Sequence, residues 1–246
     1  MRKLKMLLLL SLVCFLLIPV YTVYARGDED NPDTHSPPHQ EVVPDTVKDP
    51  RSKHTAKYTS AIGQTCTAIL ISSTAAVTAK HCGGTKSRTR AGRIYPGASG
   101  SSTPFGYMNI RFYIPHPTLD IAVIKGIERD QDKFYKYYIG KFKTTVTGYT
   151  NEELNGFVGK EVYSYGYPYR GGVFKQYRSD GTITHYSQFL PQLDTNMPAY
   201  EGQSGSGVFK KDGPFVGIIT KRTRGYEADV LPFTKEIADW INTHAN

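Results

Sequence analysis

Between Thr65 and Thr220 the apolar residues arrive in short bursts rich in Val, Ile and aromatic side chains, each cut off by Gly, Pro, Ser or Asn. TCTAILIS (65–72), TAAVTA (74–79), IRFYIP (110–115), LDIAVIKG (119–126), GKEVYSYGYP (159–168) and GPFVGIIT (213–220) are all of this kind. Runs this short do not make buried helices, and branched and aromatic side chains suit a pleated surface, so each predicts a strand. Helical spacing emerges only at the end, where PFTKEIADWINTHAN places Phe233, Ile237, Trp240 and Ile241 on one face of a single C-terminal helix. Many short strands with few helices predict an all-β domain, a barrel or sandwich arrangement in which two halves are plausible.

The first 41 residues do not share this pattern. Arg2, Lys3 and Lys5 precede an apolar run from Met6 to about Val20, and Val23-Tyr24-Ala25 offers slim residues where a signal peptidase reads. Residues 1–25 are therefore expected to be a secretory signal peptide, which predicts an extracellular protein with no membrane anchor once the signal is removed. Residues 26–41, RGDEDNPDTHSPPHQE, are acidic, contain proline and have almost nothing apolar to bury. They are expected to be disordered or to form a removable pro-segment. The domain is expected over 42–246.

The whole chain carries 30 Lys and Arg against 22 Asp and Glu. Residues 1–41 hold four basic and five acidic residues, leaving 26 against 17, a formal +9, for the rest. Such a charge suits a nucleic acid, but these cations are scattered, with no sustained basic run and no recognition-helix or zinc-ligand pattern. No nucleic-acid partner is expected. His54, His81, His116 and His185 share no ligand spacing, so no metal is expected. The tyrosines are spread along the strand segments and read as packing. Outside the signal two cysteines remain, Cys66 and Cys82. In a secreted chain they read as one disulfide closing a loop of about fifteen residues, with a stabilisation of about 3 kcal/mol.

Three polar residues stand at the strand ends. His81 directly precedes Cys82, Asp120 heads an apolar strand, and Ser204 sits among glycines in EGQSGSGVF (201–209). Acyl transfer by serine needs this set: a hydroxyl, an imidazole to take its proton, and a carboxylate to hold the imidazole. It also needs N–H groups aimed at the developing oxyanion, which Gly202 and Ser204 can supply. A glycine-flanked serine also occurs in the nucleophile elbow of α/β-hydrolases. That design requires a helix after the serine and a catalytic histidine later in the chain. Here the residues after Ser204 read as a hairpin, and the only later histidine is His244.

CTAILISSTAAVTAKHC (66–82) resembles the disulfide and histidine segment of chymotrypsin-fold serine proteases, LDIAVIK their aspartate strand and GQSGSGVF their nucleophile loop. The version here is similar to the glutamyl endopeptidases secreted by Gram-positive bacteria, which are related to the exfoliative toxins; SAIGQTC, RFYIP and SYGYP add local likenesses. The resemblance covers residues 42–246. It implies two six-stranded antiparallel β-barrels with the active site between them and a C-terminal α-helix. It further implies a secreted, monomeric, cofactor-free endopeptidase acting on proteins or peptides. His81, Asp120 and Ser204 would form the triad and Gly202 with Ser204 the oxyanion hole. Pro-segment removal in that family points to Val42 or Val43 as the first mature residue, through a cut after Glu41 or after Val42.

Some positions depart from the family. Gln203 stands where trypsin-like enzymes have a buried Asp that pairs with the new N-terminal ammonium, so activation must differ. Gly207 replaces a proline. Ile219 falls where a histidine reads the substrate glutamate, and Ala199 falls where a hydroxyl residue is expected. Thr195 is the candidate for a displaced hydroxyl, and Thr220 and Lys221, with Arg222 and Arg224 beyond, are candidates for the pocket wall. An isoleucine cannot satisfy a buried carboxylate, so a preference for Glu or Asp is expected to come from the basic residues Lys221, Arg222 and Arg224 or from Thr195. The alternatives are a narrow-specificity protease of the exfoliative-toxin kind with one folded target, and a catalytically silent binding relative.

Overall fold

The computed structural model describes residues 37–246 apart from residue 212. The expected signal peptide and the expected pro-segment up to residue 36 lie outside the described residues.

The chain enters through strand β1 (His39–Val42) and builds its first barrel from β2 (Thr55–Ser60), β3 (Thr65–Leu70), β4 (Ala75–Thr78), β5 (Arg88–Pro96), β6 (Met108–Pro115) and β7 (Ala122–Lys125). These close in the order β2-β3-β4-β7-β6-β5, each neighbouring pair antiparallel. The period of two explains why the strand bursts are apolar throughout. Around β7, Ala122 and Ile124 point into the barrel beside Ala76, Ile94 and Met108. Ile121 and Val123 point outward and are buried against Ile237 and Ile241 of the terminal helix.

A linking segment carries α1 (Lys133–Ile139) and α2 (Asn151–Asn155), both absent from the sequence expectation of a single helix. Each spans two turns or fewer, too short to establish a periodic stripe. Their start signals are local: the side chains of Asp132 and Thr150 accept from Tyr135 N and Glu153 N at the first turns.

The second barrel uses β8 (Glu161–Gly166), then, after the small hairpin of β9 (Tyr169–Arg170) and β10 (Val173–Phe174), β11 (Tyr177–Ser187), β12 (Gln192–Pro198), β13 (Gly207–Lys210), β14 (Phe215–Arg222) and β15 (Glu227–Pro232). The pairings run β8-β11-β12-β15-β14-β13 and return to β8, so six antiparallel strands form a closed ring. Its core includes Val162, Ile183, Leu193, Met197, Val208, Val216 and Val230. The expected two-barrel architecture is thus present. Helix α3 (Lys235–Ala245) follows, capped by Thr234, so Phe233 packs just ahead of the helix instead of within it.

The segment before Val42 is a finding in itself. His39, Gln40 and Glu41, at the end of the expected pro-segment, are not disordered: β1 lies antiparallel along Tyr177–Asp180 of β11.

Candidate active site

His81 sits on a single 3₁₀ turn, Lys80–Cys82, directly after β4. Two devices fix that turn. Cys82 is bonded to Cys66 of β3, as expected from the sequence. The Tyr113 hydroxyl lies 2.5 Å from Lys80 O and 2.7 Å from Gly84 O. Burial pushes the Tyr113 phenol upward, so it remains a neutral donor. Gly83 is required here, because a Cβ would run into the Tyr113 ring.

Asp120 is held at the mouth of the first barrel by the buried residues that follow it in and before β7. One carboxylate oxygen accepts from the His81 main-chain N–H at 2.9 Å, and the other lies 2.8 Å from His81 Nδ1. Burial pushes this carboxyl up, but the hydrogen bonds from the His81 ring and main chain, with the charges of His81 and Lys80, outweigh burial and leave it below the ordinary value. On the far side of the ring, Nε2 is 2.8 Å from Ser204 Oγ. The chain Asp120–His81–Ser204 is therefore continuous, and His81 remains half exposed to solvent.

Ser204 belongs to the second barrel, yet the first barrel holds it. Thr67 of β3 donates its N–H to Ser204 O at 2.9 Å and its hydroxyl to Gly202 O at 2.9 Å. Sequence reasoning did not single out Thr67, which looks like any strand threonine beside Cys66. On the other flank, Gly205 N–H donates to Ile219 O and Ile219 N–H to Ser206 O. Gly205 has φ +89°, and a Cβ there would strike Thr67 O.

The main chain of this loop is oriented for an anion. The carbonyl of Glu201 is drawn to Tyr169 N–H at 2.8 Å and that of Gln203 to Ser206 N–H at 2.9 Å. In a trans peptide the N–H points opposite its C=O, so the N–H groups of Gly202 and Ser204 are turned away from those acceptors. Neither donates to another group among the described residues. Gly202 sits at φ +97°, a conformation glycine adopts without strain.

Beside Ser204 opens a cavity of about 250 Å³ lined by Ala199, Tyr200, Glu201, Ile219, Lys221 and Arg222. Ile219 and Lys221 are thus where the sequence placed them. Thr195 is not: it is buried in the second barrel, its hydroxyl donating to Ala228 O at 2.8 Å and accepting from Met197 N–H. Thr220 is buried and does not line the cavity. With Ala199 in the lining, neither proposed position supplies a hydroxyl. Lys221 stands opposite Asp229 in the β14–β15 register. Arg222 lies 4.7 Å over the Tyr226 ring, which stacks on Tyr200. A larger groove of about 600 Å³ on the first barrel, lined in part by Arg90, Arg93 and Arg111, contains none of the residues above.

The trypsin-like peptidase domain model matches residues 66–218, from the first disulfide cysteine into β14. No curated protein matches in sequence. Among solved structures, a Glu endopeptidase in complex with MPD is 22% identical with a TM-score of 0.68, covering 84% of this chain and 96% of its own. A thermostable serine protease from an extremophilic microorganism is 15% identical with a TM-score of 0.59, covering 79% and 97% respectively. At these identities the two structures speak for the fold.

Proposed function

The chain belongs to the trypsin-like peptidase domain family, and we propose that it is a secreted serine endopeptidase with Ser204 as nucleophile. The observation that carries this reading is the unbroken chain from Asp120 through His81 to Ser204, with 2.8 Å at both ring nitrogens. Ser204 Oγ attacks the scissile carbonyl carbon while its proton passes to His81 Nε2; the imidazolium donates through Nδ1 to Asp120. The carbonyl oxygen takes the electron pair and is received by the N–H groups of Gly202 and Ser204. Collapse breaks the C–N bond, and the amine leaves with the proton from His81. Water then attacks the acyl-enzyme, giving its proton to His81, and the carboxylic product departs as Ser204 regains its hydrogen. Secretion rests on the signal-like residues 1–25 and lies within the same proposal.

For specificity we favour an acidic residue, Glu or Asp, at the position before the cut. The cavity carries two cations, Lys221 and Arg222, against one Glu201. Lys221 faces Asp229 across the sheet, so Arg222 is the principal reader, with a planar guanidinium suited to a carboxylate. A second reading, a narrow protease with one folded target, is favoured by Ile219 and Ala199 in the lining, where the resemblance calls for a histidine and a hydroxyl. The deciding experiment maps cleavage of a diverse peptide mixture by mass spectrometry beside a Ser204→Ala control. Cuts after Glu or Asp that vanish in the control are expected. Serine-dependent cuts after other residues would remove the acidic preference. Clean cutting of one protein with peptides left intact would favour the narrow protease. A chain inert to peptides, proteins and an organophosphonate alike would be the silent binding relative.

A further inference from the structure

Gln40 is the one residue of β1 that turns inward; His39, Glu41 and Val42 are exposed. Its register partner is Ser179 of β11. Its side-chain Nε2 lies 2.7 Å from Ser179 Oγ, 3.0 Å from Gln203 Oε1 and 3.3 Å from Pro198 O. Its Oε1 accepts from Arg170 Nη1 at 3.1 Å. One side chain, from a segment composed like a linker, thus spends its whole amide on the nucleophile loop and its supports.

Gln203 is the receiving group and immediately precedes Ser204. It is fully buried, and its Oε1 also accepts Tyr200 N–H at 2.8 Å while its own N–H closes the turn onto Tyr200 O at 3.1 Å. That turn, Tyr200 to Gln203, presents the Gly202 and Ser204 N–H groups. Arg170 extends the link, since its guanidinium lies 4.4 Å over the ring of Tyr200, which lines the cavity.

We propose that Gln40 is a positioning residue for Ser204, that β1 belongs to the working enzyme, and that a cut after Glu41 lowers activity instead of releasing it. This rests on the reading of Ser204 as nucleophile. The physical reason is the cost of leaving buried amides half satisfied. Without Gln40, Gln203 Oε1 keeps only Tyr200 N–H, Ser179 Oγ loses its nearest donor, and Arg170 loses an acceptor. The Gln203 side chain is then held only by Tyr200 N–H and by its own Nε2 donating to Ser179 Oγ at 3.3 Å, and the turn that aims the two N–H groups is less firmly held from behind. On this proposal any processing ends before His39, in place of the expected mature start at Val42 or Val43.

The test uses the chain from Arg26 onward, with Gln40→Met to keep the length and remove the amide, and Gln40→Glu to keep the acceptor for Arg170 while removing the donor to Gln203. Turnover is expressed per active site titrated with an organophosphonate, which discounts misfolded protein. Both variants are expected to lose about tenfold in kcat with little change in KM. Amide exchange over 200–206 is expected to quicken while the first barrel is unchanged. A chain beginning at Val42 is expected to behave like Gln40→Met. Unchanged kcat per titrated site in both variants, or a Val42 chain more active than the longer one, overturns the proposal. Should the parent protein neither titrate nor cut, the nucleophile reading fails by itself. Exchange over 200–206 then decides the positioning role, and an unchanged pattern in Gln40→Met overturns it.

Discussion

Substituting asparagine for Asp120 exchanges one carboxylate oxygen for an NH2 group and puts the proton on the wrong side of His81. In the native site one carboxylate oxygen accepts the His81 main-chain N–H and the other faces Nδ1. Asparagine has a single acceptor oxygen. The main-chain N–H can only donate, so it claims that oxygen, and the new NH2 group is left facing Nδ1. A ring nitrogen that receives a hydrogen bond carries no proton, so the neutral imidazole is protonated at Nε2, 2.8 Å from Ser204 Oγ. Nε2 then donates to the hydroxyl whose proton it should take. The opposite amide flip sets NH2 against N–H and is worse.

The expected loss in kcat at neutral pH is about 10⁴-fold, or about 5 kcal/mol of transition-state stabilisation. KM should move by no more than a few-fold, since the substrate cavity is untouched. The assay is steady-state cleavage of a peptide identified by the cleavage map, with the thermal midpoint measured on the same samples. Stability supplies an independent check. The Asp120 carboxyl is held below its ordinary value of 3.8, so its contribution is complete above that value and is lost as pH falls through the lower folded value. The part of the stability difference between the native chain and Asp120→Asn that belongs to the Asp120 carboxyl itself should persist down to about pH 4 and shrink only below it. A kcat loss under tenfold would refute the assignment of tautomer control to Asp120.

Gly202→Ala should keep the fold but cost about 10²-fold in kcat, because a Cβ would strike Tyr167 O and push the Gly202 N–H out of line; native kcat in this variant would exclude that N–H from the mechanism. Arg222→Ala should lower kcat/KM for peptides cut after Glu by about ten- to a hundredfold and leave neutral residues at that position alone, and an equal loss on both would assign Arg222 a purely structural part. Asp229→Asn should stabilise by about 0.5 kcal/mol at neutral pH in urea unfolding. Asp229 is raised by burial and by Asp194, its direct cross-strand partner. A raised carboxyl disfavours folding increasingly as pH climbs from the unfolded toward the folded value, so the gain should vanish below about pH 3.

The parts of this fold that could be read from the chain depend on neighbours in sequence. A strand announces itself by its own side chains, so the bursts at 65–72 and 119–126 appear as β3 and β7. His81 and Asp120 are legible because each sits at the end of such a burst, and Ser204 because glycines flank it. What failed to show depends on groups far apart. Thr67 reaches Gly202 across 135 residues and Gln40 reaches Gln203 across 163, and neither side chain differs from ordinary ones nearby. Thr195 failed for the complementary reason: a loop count supplies a hydroxyl but not its direction, and its hydroxyl points at Ala228 O. The pairing of β1 is the most instructive case. Composition judges whether a segment can bury apolar surface of its own, and His39–Val42 buries almost none. Yet β11 offers a row of main-chain groups along Tyr177–Asp180, and a strand added to such an edge is held by backbone hydrogen bonds that any sequence can form. The side chains then set only which partner is engaged, and here a single inward glutamine does so. Segments rejected for low hydrophobicity therefore need a second criterion, the presence of an open sheet edge within reach, before they are discarded from an active site.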